Sequence, residues 1–211
     1  MTFFFQRRVP RVTTVLVSLT LALSLLSAID GGMWYRLALI PDAVWRGQIW
    51  RLVTWPFVIG HPLTLLFTCV ALYVFGSDLA VTWGTRRYLL TATTVVLVAG
   101  TGTCLISLLV PAARGLPYLG GMALADALVI VWARQFPDQP VMAYFVLLVR
   151  GPALVAVVVA ATLVFAAYLG VTWMMPELLA VAAALFLSSR ARRRIWLELK
   201  LRWVRRKLRV L

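Results

Sequence analysis

Apolar residues in this chain gather in long, nearly unbroken blocks, not in the short alternations of half-buried strands. Six blocks stand out, over residues 12–30, 61–82, 88–110, 117–134, 152–171 and 174–189. Each approaches the ~20 residues that a helix needs to cross ~30 Å of hydrocarbon, so the pattern predicts six membrane-spanning helices. The longest interruption, residues 31–60, is rich in Trp, Arg and Pro and only moderately apolar. That composition suits a lipid–water boundary, which places Trp34, Trp45, Trp50 and Trp55 in the headgroup layer. Residues 140–151 admit two readings: an extension of the fifth helix, or an interfacial segment ahead of Pro152. The expected organisation is an N-terminal stretch (1–11), a membrane domain (12–189) with an interfacial loop at 31–60, and a tail (190–211). No fixed-spacing repeat or low-complexity linker is visible.

Composition supports lipid as the solvent. Hydrophobic residues make up 63% of the 211, and mean hydropathy is +0.93; soluble domains average about half apolar residues. Charge adds orientation. The net charge is +14, carried mostly by Arg. With six spans, 17 of the 21 basic residues fall on one side, and the positive-inside rule makes that side cytoplasmic, with both termini there. Only Arg36, Arg46, Arg51 and Arg114 face outward; five or seven spans would scatter the positive charge. Because the basic residues flank apolar spans, they indicate contact with anionic headgroups and not nucleic acid. Arg7, Arg8 and Arg11 precede an apolar run as in a signal peptide, but the run is long enough to span and no small-residue cleavage site follows it. It is therefore expected to be a retained helix. The Arg-rich, Lys-poor, Ala/Val-rich composition points to a GC-rich bacterial source, and hence to the inner (plasma) membrane.

In the tail, Arg194, Glu198, Arg202, Arg205 and Arg209 form one helical stripe, flanked by Ile195, Trp196, Leu199 and Trp203. Glu198 and Arg202 form a favourable i,i+4 pair. A basic amphipathic helix lying on the anionic inner leaflet is expected, with Arg194, Trp196, Arg202, Trp203, Arg205 and Arg209 at the membrane surface. A plain topogenic flank, or a partner-binding segment, are the other readings. Cys69 and Cys104 sit inside apolar runs and read as reduced small hydrophobes. No metal-ligand spacing, phosphate loop or cofactor motif occurs.

Four stretches together resemble the rhomboid superfamily, including the derlins. Arg46 to Phe57, with Trp50-Arg51 at its centre, is similar to the Trp-Arg element of the rhomboid first loop. Leu65 to Gly76 resembles the second helix. Trp83-Gly84-Thr85-Arg86-Arg87 resembles the turn into the third. Gly120-Gly121-Met122-Ala123 stands where rhomboid proteases carry Gly-x-Ser-Gly. The resemblance implies an all-α, six-helix bundle with a long interfacial first loop. It also implies where catalytic groups would lie. Ala123 takes the place of the nucleophilic serine, and Met174 falls near the sixth-helix histidine. Thr64 and Thr68 occupy the second-helix positions that assist the oxyanion. A methyl cannot attack a carbonyl and a thioether cannot take a proton; losing such a dyad costs on the order of 10⁶ in rate. A catalytically dead rhomboid pseudoprotease is the expectation.

Other polar residues weigh less. His61, the single histidine, precedes Pro62 and reads as a loop or headgroup contact. Asp126 and Glu177 are carboxylates within apolar segments, which by default mark function, and the resemblance makes their helices neighbours. A shared proton, or substrate or ion contact, would use them; the bland expectation is a hydrogen bond to a neighbouring helix or a buried arginine. Arg51 is expected to anchor loop carbonyls or phosphates, with client contact by a wedge-like loop as the alternative. Gly100, Gly102, Gly120 and Gly121 permit close helix contact. The expected function is non-proteolytic: binding transmembrane segments of client or partner proteins and affecting their stability, assembly or turnover. The rivals are a structural subunit of a larger membrane complex, an intramembrane protease that uses Asp126, and a lipid- or ion-handling protein.

Overall fold

The computed structural model describes residues 10–139, 141–143 and 147–189. Its helices are α1 (Arg11–Ile29), α2 (Met33–Leu37), α3 (Pro41–Trp45), α4 (Arg51–Thr54), α5 (Pro62–Ala71), α6 (Ser77–Trp83), α7 (Thr85–Leu109), α8 (Gly121–Gln135), α9 (Gly151–Leu169) and α10 (Met175–Leu187). A π-helical turn, Leu72–Gly76, fuses α5 and α6 into one rod, and a 3₁₀ turn, Trp55–Phe57, follows α4. Among the described residues, four helices are long and apolar enough to cross a membrane: α1, the α5–α6 rod, α7 and α9. The α8 and α10 helices are shorter, with 15 and 13 residues.

The α8 helix is the axis of the molecule. Eleven of its 15 residues are buried, against α5, α9 and α10. Helix α10 also lies along α7. The peripheral helices are built inside out relative to those of soluble proteins. Helix α1 buries Thr13, Thr20, Ser24 and Ser27 and exposes Val15, Leu25 and Ile29. Helix α9 buries Leu154, Val158, Thr162 and Ala166 and turns Val164, Phe165 and Tyr168 outward, the last 86% exposed. Small and hydroxylated residues face the bundle because lipid gives no reason to hide Leu or Ile, while small side chains allow close approach. Thr20 and Thr162 return their hydroxyls to carbonyls one turn back, at 2.9 Å each.

Two breaks in the sequence place the turns. Gly84 has φ +79°, a conformation costly for other residues, and it lets α6 stop and α7 begin without a linker. Between α8 and α9 the chain makes an antiparallel hairpin, β1 (Val141–Ala143) with β2 (Leu147–Val149), Met142 opposite Leu148. Residues 141–143 and 147–149 therefore do not extend the fifth helix. Pro152 explains the boundary, since proline suits the first helical turn and breaks an interior. The segment expected to start at 117 begins its helix at Gly121 instead, because Tyr118 is taken into extended pairing with Leu39, with N–H to O distances of 2.9 and 3.0 Å.

Candidate functional site at the start of α8

The region from α2 to the 3₁₀ turn folds back onto the end of the bundle where α8 starts. Arg51 holds it together. Although only 5% exposed, its guanidinium donates to the carbonyls of Tyr35 (2.6 Å) and Ala38 (2.7 Å) and to Gln48 Oε1 (2.7 Å). Burial lowers its pKa from the usual arginine value, and the nearby Tyr35 phenol opposes that shift. Thr54 adds a bond to the Leu37 carbonyl at 2.9 Å. Ser24 of α1 donates to the Phe57 carbonyl (3.2 Å) and accepts from the Ile59 N–H (3.1 Å). Nothing in the local sequence distinguishes Ser24 from the neighbouring serines; the long-range fold alone reveals it.

The glycine pair ahead of Ala123 receives this loop. A Cβ on Gly120 would fall inside the Trp55 indole, and one on Gly121 would strike the Ile59 side chain. The Gly120 N–H donates to the Trp55 carbonyl at 3.0 Å. Gly100 likewise faces Leu52 and Trp55, whereas Gly102 faces Leu179 of α10. Only Gly102 thus serves helix-on-helix packing; the other three admit the loop. Trp55 is fully buried, which corrects its expected place among the headgroups: the space left by Gly100 and Gly120 draws the ring inward. Trp45 and Trp50 remain exposed and Trp34 partly so.

Beside this plug lies a cavity of ≈ 270 Å³. The turn into α5 supplies Val58, Ile59, Gly60 and His61, with Thr64 one turn on; Leu119, Gly121 and Met122 close the other wall. His61 is exposed and makes no side-chain cap to α5; no hydrogen bond joins it to Thr64 among the described residues. Thr68, one turn deeper, is 1% exposed, and its hydroxyl has no partner there. Ala123 is buried in the first turn of α8, and Met174 is the residue that caps α10. No hydroxyl, thiol or imidazole occupies either position.

Asp126 lies one turn into α8 beyond Met122 and is partly exposed. Glu177 sits in the first turn of α10, 8% exposed, with Oε2 lacking any hydrogen-bond partner among the described residues. Helices α8 and α10, which carry the two carboxylates, pack against each other. Neither finds the arginine or neighbouring-helix hydrogen bond expected for it among the described residues; the buried Arg51 is committed to loop carbonyls. Tyr118, which sequence reasoning passed over, is the third member of this region. Its hydroxyl donates to the Thr172 carbonyl at 2.9 Å, tying the approach to α8 to the turn before α10. Burial pushes its pKa up to about 12, with Glu177 and Cys104 adding to the rise. The two cysteines are free and buried, and no metal-competent group of His, Cys, Asp or Glu occurs among the described residues. Arg194, Trp196, Arg202, Trp203, Arg205 and Arg209 lie outside the described residues.

Comparison with known proteins agrees with lipid-embedded architecture. No curated protein matches the chain. A protein-family model does, over residues 11–190, the stretch from α1 through α10. Its description is eukaryotic, which does not support the bacterial source expected from composition. The chain belongs to the eukaryotic integral membrane protein (DUF1751) family.

Proposed function

We propose that this protein is a six-helix, rhomboid-like pseudoprotease that binds transmembrane segments of client or partner proteins and affects their stability, assembly or turnover. The observation that carries the reading is the buried methyl of Ala123 in the first turn of α8, where the resemblance calls for a nucleophile. Met174 ahead of α10 supplies no base. Acyl transfer needs an activated nucleophile next to a base, and the cavity offers only an exposed imidazole and an unlinked threonine.

Six spans count α8 and α10 as membrane-crossing, though at ~1.5 Å per residue they reach only about 20 Å. Arg positions support this count. Arg86, Arg87, Arg134 and Arg150 lie at the ends of helices opposite the loop that holds Arg36, Arg46 and Arg51. Both termini are then cytoplasmic. The basic tail then lies on the anionic cytoplasmic leaflet.

The test is direct. Purified protein should not react with a serine-directed fluorophosphonate, and Ala123→Ser alone should not restore cleavage. Crosslinkers on the outer ends of α5 and α9 in native membrane should capture transmembrane proteins. Labelling of the unaltered protein by the probe would end the reading. A second reading, an intramembrane protease that uses Asp126, draws support from the unpaired carboxylates. Lost cleavage in a well-folded Asp126→Asn variant would favour it. Co-purification of a fixed partner, dependent on residues 190–211, would instead favour a structural subunit.

A further inference from the structure

We propose that the cavity at the start of α8, with the carboxylates beneath it, recognises a basic side chain carried in the outer half of a partner's transmembrane helix. The inference rests on the proposed function and adds which segments are chosen. Helix geometry links cavity and acid. Met122 and Thr64 line the cavity; Asp126 and Thr68 follow each by four residues, one turn deeper on the same faces. Helices α5 and α8 pack together there. Asp126 retains partial exposure, whereas the Thr68 hydroxyl is sealed and unpartnered. Glu177 joins from α10, its Oε2 also unpartnered.

This set accepts hydrogen bonds and lacks a cation. Among the described residues no Arg or Lys pairs with either acid; three of the four basic side chains of this end of the bundle are engaged elsewhere, Arg51 with carbonyls, Arg46 with Asp42 and Arg114 with the end of α7, and Arg36 on α2 is exposed. An ionisable group within a membrane segment is expensive without a partner. An ammonium or guanidinium supplies donors and the opposite charge together. Walls of Val58, Ile59, Leu119 and Met122 suit the apolar stem of such a side chain. The volume of ≈ 270 Å³ equals about nine waters' share of liquid, which is room for one long side chain. Charge complementarity therefore selects a lipid-embedded helix with Lys or Arg near its outer end, over an all-apolar one.

The test uses the full chain in nanodiscs, with a diazirine side chain in place of Met122. Three synthetic polyleucine helices carry Lys, Leu or Glu at the same outer position. Capture of the Lys helix should exceed the Leu helix by about tenfold, the factor that one interhelical polar contact of ~1.4 kcal/mol supplies. The Glu helix should be captured least. Asp126→Asn should erase the preference for the Lys helix over the Leu helix. Should that variant fail to purify as a single species, the three-helix comparison on the otherwise unaltered chain decides by itself, and Glu177→Gln should weaken the preference. Equal capture of Lys and Leu helices overturns this inference and leaves transmembrane binding standing. Capture of none overturns both. Displacement of the Lys helix by free alkylammonium as readily as by a second Lys helix would also overturn it, since a small cation would then be the ligand.

Discussion

Adding one methyl group at Gly120 should dislodge the first loop from the bundle. The Cβ of Gly120→Ala would land within the Trp55 ring, and Trp55 has no free space to enter, being fully buried between α4 and the start of α8. Either the indole leaves its slot or α8 shifts against α10. Losing a buried Trp costs about 3–5 kcal/mol in truncation series, and overpacking costs about 1–3 kcal/mol. A loss of about 3 kcal/mol is expected for Gly120→Ala, and about 4 kcal/mol for Trp55→Ala. The double variant is the decisive one. With the ring gone the three atoms nearest the new methyl are gone too, so the pair should be no less stable than Trp55→Ala alone. That is a coupling of about 3 kcal/mol, near the upper end for residues in contact. Because Cys69 and Cys104 are free and buried, their reaction with a fluorogenic thiol probe reports unfolding during a thermal ramp in mild detergent. A Gly120→Ala variant as stable as the unaltered protein, or strictly additive losses, would refute the slot.

Two further consequences are accessible to the same thiol assay. Arg51→Ala strands three acceptors and should cost about 3 kcal/mol, with Arg51→Lys falling between because it keeps the charge and loses the fork; limited proteolysis of residues 31–60 should rise in the same order. Tyr118→Phe should cost about 1 kcal/mol through its lost bond to Thr172. Since the folded phenol titrates at about 12 against 10 for the free group, the native state holds its proton longer, so stability should fall as pH rises from 10 toward 12 in the unaltered protein and stay flatter in Tyr118→Phe.

The rod-forming segments were legible because hydropathy needs no tertiary context: α1, α7 and α9 lie within a few residues of the expected limits. Their rotation about the axis was not. In α1 and α9 the pattern gives no amphipathic stripe: the buried face of α1 is marked by Thr and Ser scattered among larger apolar residues, and that of α9 mixes Leu154 and Val158 with Thr162 and Ala166. The start of α8 was misplaced by four residues for a related reason. Tyr118 and Leu119 read as membrane apolar, yet Tyr118 pairs with Leu39, some eighty residues earlier. At the site, the absence of a serine at Ala123 could be read at once, whereas the cavity could not, because its walls come from two distant parts of the chain.

What the sequence determined alone is the solvent, the approximate span of each long helix, and the chemical identity of positions 123 and 174, since each follows from local composition. Only the tertiary structure decided that Gly120 and Gly121 make room for Trp55 and Ile59, that Trp55 is interior, and that the helices carrying Asp126 and Glu177 pack together. Close packing is the reason: whether a glycine is a hinge, a helix contact or a slot depends on which atoms meet it from elsewhere in the chain, and a single helix carries no record of its neighbours.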